Sequence, residues 1–333
     1  MKKHIIIFIL LVLPSVVFSQ EWKRKPFTFY YSNGTNHFLG ELGGGKKDAA
    51  HFMGLRDIDY QATRPTWQVG LRYKFQEYFV ARINYTYALV SGSDANSGNY
   101  ARNARNLSFR SGIYEMGAQI EYYFVKEKSV IKSSFGSLKG YTPISAYLFL
   151  GFGGLYFNPK AKHPETQKWI SLRSLGTEGQ FANPDGTPFT YTSYYFENGQ
   201  KPTLTTPKPY SRFAGTIYMG LGIKYDLNKQ WSVGLEISNR YTTSDYIDDC
   251  HDRYFNYSNF GLTPPSPYTS VFSDRHLTVD HDAQVVLGEP AIQYDSGKSM
   301  RGDPNYNDSY IIAVVTVFYK LNISSRFFNP KFK

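Results

Sequence analysis

The stretch TSDYIDDCHDRY, Thr243 to Tyr254, gathers Asp245, Asp248, Asp249, Asp252, His251 and the chain's one cysteine, Cys250. Carboxylates, a thiol and an imidazole this close in sequence could hold a metal, run acid–base chemistry or tie a loop together. A calcium loop places its oxygen ligands at alternating positions, and Asp245, Asp248 and Asp249 do not follow that spacing. Zinc bound through Cys250 and His251 would need adjacent side chains to point at one ion, with no second Cys or His pair nearby. A hydrolase would need a serine beside a histidine, but nothing in the spacing of His251, His276 and His281 among their neighbouring serines singles out a triad. The residues therefore predict no metal, no cofactor and no enzyme, and the segment's role depends on the elements that carry it.

The chain opens MKKHIIIFILLVLPSVVFSQ. Two lysines precede an apolar run from Ile5 to Leu13, too short for the roughly 20 residues of a spanning helix, and Val17 and Ser19 are small enough for a cleavage site. The expected organisation is a signal peptide over 1-19 and one domain over 20-333. The mean hydropathy is −0.42, yet the chain holds 29 Tyr and 25 Phe. A transmembrane β-barrel gives this combination, because each lipid-facing residue alternates with a polar lumen residue and hydropathy windows average the two. A single cysteine excludes an internal disulfide framework and suits a bacterial envelope protein.

Period-two alternation runs through the mature chain. TWQVGLRYKF sets Trp67, Val69, Leu71, Tyr73 and Phe75 on one face and Gln68, Gly70, Arg72 and Lys74 on the other, and FVARINYTYAL repeats the pattern after a tight turn at Gln76-Glu77. The same reading holds for IYEMGAQIEYYFV, ISAYLFLGFGGLYF, FAGTIYMGLGIKYDL, WSVGLEISNRY and YIIAVVTVFYKL. With HFLGELGG, His37 to Gly44, at the front, these make eight strands. The predicted fold is all-β: an eight-stranded antiparallel up-and-down transmembrane barrel with long extracellular loops. Aromatic pairs at strand ends, among them Tyr122 to Phe124 and Phe318-Tyr319, are expected to form interfacial girdles. A barrel of eight strands is just wide enough for side chains to fill. Its enclosed charges are expected to be Glu41, Arg72, Lys74, Arg82, Glu115, Glu121, Lys224, Asp226, Glu236 and Arg240, balanced in sign and therefore paired into a plug.

An even strand count puts both termini at the periplasmic side of the cell outer membrane, with the long loops (about 46-65, 90-108, 158-209 and 242-308) facing outward. Removing Lys2 and Lys3 lowers the formal net charge from +10 to about +8, and the predicted periplasmic pieces carry all of that excess. Lys126, Lys128, Lys132 and Lys139 are the candidates for contact with an acidic periplasmic partner. Nucleic acid is not expected as a partner of an exported chain. At the other end Arg102, Arg105 and Arg110, Glu178, and Arg301, Asp303 and Asp308 arrive from separate loops. With Asp245, Asp248 and Asp249 they are the candidates for an extracellular lid of ion pairs.

Several separate words, RNLSFRSGIYEMGAQIEYYF, SLRSLGTEGQ, GIKYDLNKQWSVGLEISNRYTTSDYIDD, RGDPNYNDSY and the ending NPKFK, occur in an order that resembles the PorG-like outer-membrane barrels of Bacteroidota. The resemblance spans nearly the whole mature chain, although 158-209 and 250-300 are longer than such barrels usually carry. It implies a non-enzymatic component of the type IX protein secretion machinery, anchoring a periplasmic ring built from a lipoprotein and its soluble partner. The alternative expectation is a surface adhesion barrel that works through its long outward loops.

Overall fold

The computed structural model describes residues 26–40, 42, 60–96, 103, 105–126, 143–193, 200–273, 275 and 301–322. Twelve strands follow in chain order: β1 (Phe27–Leu39), β2 (Arg64–Lys74), β3 (Phe79–Ser93), β4 (Ser108–Val125), β5 (Ile144–Tyr156), β6 (Pro159–Lys162), β7 (Trp169–Ser171), β8 (Thr190–Thr192), β9 (Thr203–Thr205), β10 (Phe213–Asp226), β11 (Trp231–Thr242) and β12 (Ser309–Lys320). Eight of them, β1 to β5 and β10 to β12, pair antiparallel with their neighbours in order. The last strand closes on the first, from Thr28 opposite Lys320 to Leu39 opposite Ser309. No sheet edge is left among these eight strands, which is the condition for a sheet to cross a bilayer.

The barrel is inside out relative to a soluble protein. On the outer wall Ile83, Leu235, Phe152 and Met116 are between 60% and 70% exposed, whereas Arg72, Arg82, Glu115, Glu121, Lys224 and Arg240 are buried on the inside. Apolar side chains bare on the outside and charges enclosed on the inside suit lipid, not water, as the surrounding solvent. Aromatic rings band the wall twice. One band runs from Trp67 through Tyr87, Tyr114 and Tyr156 to Phe213, with successive ring centroids 5.1 to 6.3 Å apart. The other, near the tight turns, includes Phe27–Tyr73, Phe79–Tyr122 and Trp231–Tyr319. The two bands mark the two interfaces of the membrane. This is the construction of an outer-membrane β-barrel.

Two sequence expectations change. The first strand begins at Phe27, ten residues before His37, and HFLGELGG supplies only its outward end. The stretch Ser32-Asn33-Gly34-Thr35-Asn36 at the strand's centre is polar on both registers and so lacks the apolar alternation that marks the other strands. In the fold Gly34 lies flat against the closing strand, where a Cβ would run into the Ala313 carbonyl oxygen. Tyr123 and Phe318 also leave the girdle: both are fully buried and point into the lumen, because their flanking neighbours take the lipid side. Glu41, Arg102 and the signal segment lie outside the described residues.

Candidate functional site: the filled lumen and the outward cap

Alternation on each strand delivers the lumen charges, and the register between strands brings opposite signs together. Arg72 on β2 pairs with Glu121 on β4. Arg82 on β3 lies 3.4 Å from Glu121 and 2.8 Å from Glu236 on β11. Lys224 sits 3.3 Å from Asp226, and Arg240 pairs with Glu115 across the barrel. Aromatic rings fill the space between the pairs. The Arg82 guanidinium lies 3.7 Å from the Tyr30 ring centroid, Arg240 lies 4.2 Å from that of Tyr218 and Arg72 lies 4.7 Å from that of Phe318. Tyr147 donates to Glu236 and Tyr310 donates to Glu115, the latter at 2.8 Å. Sequence reasoning located the charges but missed these ring partners. The available signal was the tyrosine on the polar register of IYEMGAQIEYYFV and ISAYLFLGFGGLYF, which composition alone assigns to the girdles.

Beyond the outer band, the loops fold into a cap with a hydrophobic core of its own. Phe255, Tyr257 and Tyr191 are buried there, with Phe189 and Phe260 packed against them. Under this core lies the segment Thr243 to Tyr254. Asp249 takes a left-handed conformation, φ 71°, which Asp tolerates better than most residues. That turn aims its carboxylate at Thr177 Oγ1 and the Tyr210 hydroxyl, each 2.6 Å away. Arg301 is buried at the centre. Its guanidinium donates to the Asp249 carbonyl, reaches Glu178 at 3.1 Å and the Asp249 carboxylate at 3.3 Å. Glu178 also accepts from the backbone N–H of His251 at 2.9 Å and of Asp252 at 3.2 Å. Gly302 lets this chain press on the segment, since a Cβ there would lie 2.5 Å from the His251 nitrogen.

The remaining predicted residues separate into partners and bystanders. Arg105 forks onto Asp94 at 2.7 and 2.8 Å and donates to the Arg301 carbonyl at 2.7 Å. Asp308 accepts from the Ile247 N–H at 2.8 Å. Asp248 accepts from the Cys250 N–H at 2.9 Å, and Asp245 meets His251 Nδ1 at 2.7 Å. Asp303 is half-buried and caps a turn by accepting from Asn305. Arg110 does not join the cap. It lies exposed on the outer wall, 5.4 Å from the Trp169 ring, because its register on β4 is that of the lipid-facing residues. The tripeptide Arg301 to Asp303 offers no free arginine for recognition, since Arg301 is buried. At the opposite end Lys126 lies 3.0 Å from Glu77 and over the Tyr78 ring, while Lys128, Lys132 and Lys139 lie outside the described residues.

The cap carries more buried acid than base, and its carboxyl groups respond. Burial pushes Glu178 up to about 7 in spite of Arg301. Burial, with repulsion from Asp248 and Glu178, raises Asp245, and burial raises Asp248 in spite of the Cys250 N–H, Arg105 and Arg301. One oxygen of each, Asp245 Oδ1 and Asp248 Oδ2, is buried with no hydrogen-bond partner among the described residues. A bare carboxylate oxygen in that position is costly, and a proton removes the cost. Burial likewise raises the Cys250 thiol, which leaves it a small buried apolar group and not a nucleophile. Among the described residues no group of three His, Cys, Asp or Glu side chains could hold a metal ion.

No protein-family model matches the chain, and no curated protein does. Among solved structures it is similar to Neisserial surface protein A, at 8% identity and TM-score 0.35, covering 88% of this chain and 97% of that one. A major outer membrane protein from Thermus thermophilus gives 9%, 0.35, 89% and 98% on the same measures. The attachment invasion locus protein of Yersinia pestis, solved with the heparin analogue sucrose octasulfate, gives 8%, 0.31, 89% and 99%. At these values the fold of the present chain rests on its own strand pairings.

Proposed function

We propose that this barrel is a non-enzymatic outer-membrane anchor whose working surface is its periplasmic end. Following the PorG-like resemblance, that end would hold the periplasmic ring of the type IX secretion machinery. The observation that supports an anchor is the filled lumen. Five ion pairs and their ring partners occupy the interior, so transport through the barrel is a poor reading and attachment at one end is a better one. The basic periplasmic segments supply the attraction, favouring an acidic partner by steering its approach.

Reversing charge at Lys126, Lys128, Lys132 and Lys139 together tests this. Each lysine contributes about 1 kcal/mol or less at an exposed rim, so the group is needed. Pull-down of the barrel should lose the ring lipoprotein and its soluble partner, while the boiled and unboiled forms still migrate differently on a detergent gel. Capture that survives the reversal would remove the electrostatic basis of the proposal.

A second reading, surface adhesion, is favoured by the cap's separate aromatic core, which gives the outward loops a defined shape. The two readings part when the β8–β9 hairpin is replaced by a short linker. That hairpin contributes Tyr191 and Leu204 to the outer core but none of the partners of Arg301. Its loss should leave ring capture intact if the chain is an anchor, and should abolish surface binding if it is an adhesin.

A further inference from the structure

Past the outer aromatic band the barrel wall continues as a small sheet of β3, β4, β6 and β7, and its outer face is basic. Register places Arg110 directly opposite Lys160, and Lys162 directly opposite Trp169. Like charges facing each other across a strand pair are unfavourable unless something negative lies between or above them. Next to them is a recess of about 280 Å³ lined by Arg64, Arg110, Lys162, Trp169, Ser93 and Ser108 among others, with no Asp or Glu in its lining. Arg64 is pinned at the rim by two bonds from Nη1, to the carbonyls of Gln61 and Thr63, each 2.9 Å, so its Nη2 edge is left for a ligand. Behind the recess a further guanidinium, that of Arg275, donates to Ser108 at 2.9 Å. Burial holds Arg275 below its usual pKa, offset only in part by Asp94.

The height of the recess matters as much as its charge. On β4, Arg110 is four residues beyond Tyr114 of the outer band, about 13 Å along the strand and roughly 10 Å along the barrel axis once tilt is included. A cation at that level faces the headgroup layer of the outward leaflet. Three cations, hydroxyl donors and one indole make a shape that a compact, multiply charged oxyanion fills. A carboxylate would leave donors unused, and a neutral headgroup would leave the charges unanswered.

We propose that this recess binds a phosphate-class anion at the outward membrane surface. The two sources of that chemistry are a phosphorylated lipid headgroup and a free phosphate.

Binding to the folded, detergent-solubilised barrel can be titrated with dihexanoyl phosphatidic acid, dihexanoyl phosphatidylcholine and inorganic phosphate. Phosphatidic acid should bind about tenfold more tightly than the choline lipid and weaken with added salt. The double variant Arg110→Gln with Lys162→Gln should weaken it about tenfold, whereas Arg110→Lys should keep most of it. Inorganic phosphate that competes and shows the same loss identifies a free anion as a sufficient ligand; failure to compete identifies the lipid headgroup. Heat-dependent gel migration reports the fold of each variant, and Lys162→Gln alone, at an exposed position, serves if the double variant does not fold. Equal affinity for the two lipids, or phosphatidic acid binding unchanged in a folded double variant, would overturn the proposal.

Discussion

Replacing Arg240 by methionine tests whether the lumen is a dry, paired interior or a hydrated one. In the wild type Arg240 pairs with Glu115, lies over the Tyr218 ring, and shares Glu115 with the Tyr310 hydroxyl. Arg240→Met leaves Glu115 fully buried, with Tyr310 as its one remaining hydrogen-bond partner among the described residues. Removing one member of a buried pair costs about 3–5 kcal/mol, and the retained Tyr310 bond places this case near 3. Glu115→Gln added to Arg240→Met removes the orphaned charge and still accepts from Tyr310. The double variant should therefore recover to within about 1 kcal/mol of wild type, about 2 kcal/mol more stable than Arg240→Met alone, a non-additive outcome. Denaturant unfolding in phospholipid vesicles, followed by the fluorescence of lipid-facing Trp67 and Trp231, measures all members of the cycle. Additive effects, or a single variant that loses less than about 1 kcal/mol, would mean that water screens the pair and the plug is not closed.

The same plug should give no steady conductance in planar-bilayer recording, and a stable large channel would refute it. Arg301→Gln should accelerate proteolysis of the cap without changing barrel migration on gels, since it strands Glu178 and Asp249, whereas Arg110→Gln should not. Cys250 should resist maleimide in the native barrel and react on unfolding; rapid native labelling would show that the cap opens. The Glu178 carboxyl has a folded pKa of about 7, above its unfolded value, so the folded state holds a proton that the unfolded state releases. Stability from this group is complete below the unfolded pKa and is lost as pH rises towards 7, by at most about 3 kcal/mol. Cap amides near His251 should therefore exchange more slowly at pH 5 than at pH 8 after correction for the intrinsic rate, and the reverse order would contradict the assignment.

The barrel was legible because its signal is local. Seven of the eight strands carry a period-two pattern, and on β2, β3, β4, β10 and β11 the charges at alternate positions have no other place to go. Strand β1 was legible only at its outward end, because a strand facing both Thr316 in the lumen and lipid on the other side can afford Ser, Asn and Gly at its centre. Which lumen charge meets which depended on register, and register between strands 39 to 154 residues apart is not written in any one stretch. The cap was the reverse case. Thr243 to Tyr254 announced itself by composition, but its partners Thr177, Tyr210 and Arg301 come from three separate segments with no periodicity to align them. Arg110 was misplaced for a related reason: the strand carrying it continues past the membrane, so a residue that reads as loop keeps the outward register of the wall.

The lumen and the cap are held by the same kinds of group under opposite charge balances. In the lumen each acid among those described has a base within reach, and rings take up the remaining contacts. Such an interior gains nothing by opening, because every separated pair would leave two buried charges. In the cap Glu178 and Asp249 share Arg301, while Asp245 and Asp248 lie beside it without a guanidinium of their own. Protonation, as well as pairing, then sets the stability of that assembly. A change that supplies a base there, or removes an acid as in Asp248→Asn, should stiffen the cap at neutral pH while leaving the barrel unchanged. Motion in this protein is therefore expected at the outward face before it is expected in the wall, and any route that depends on opening must begin with the cap carboxyls.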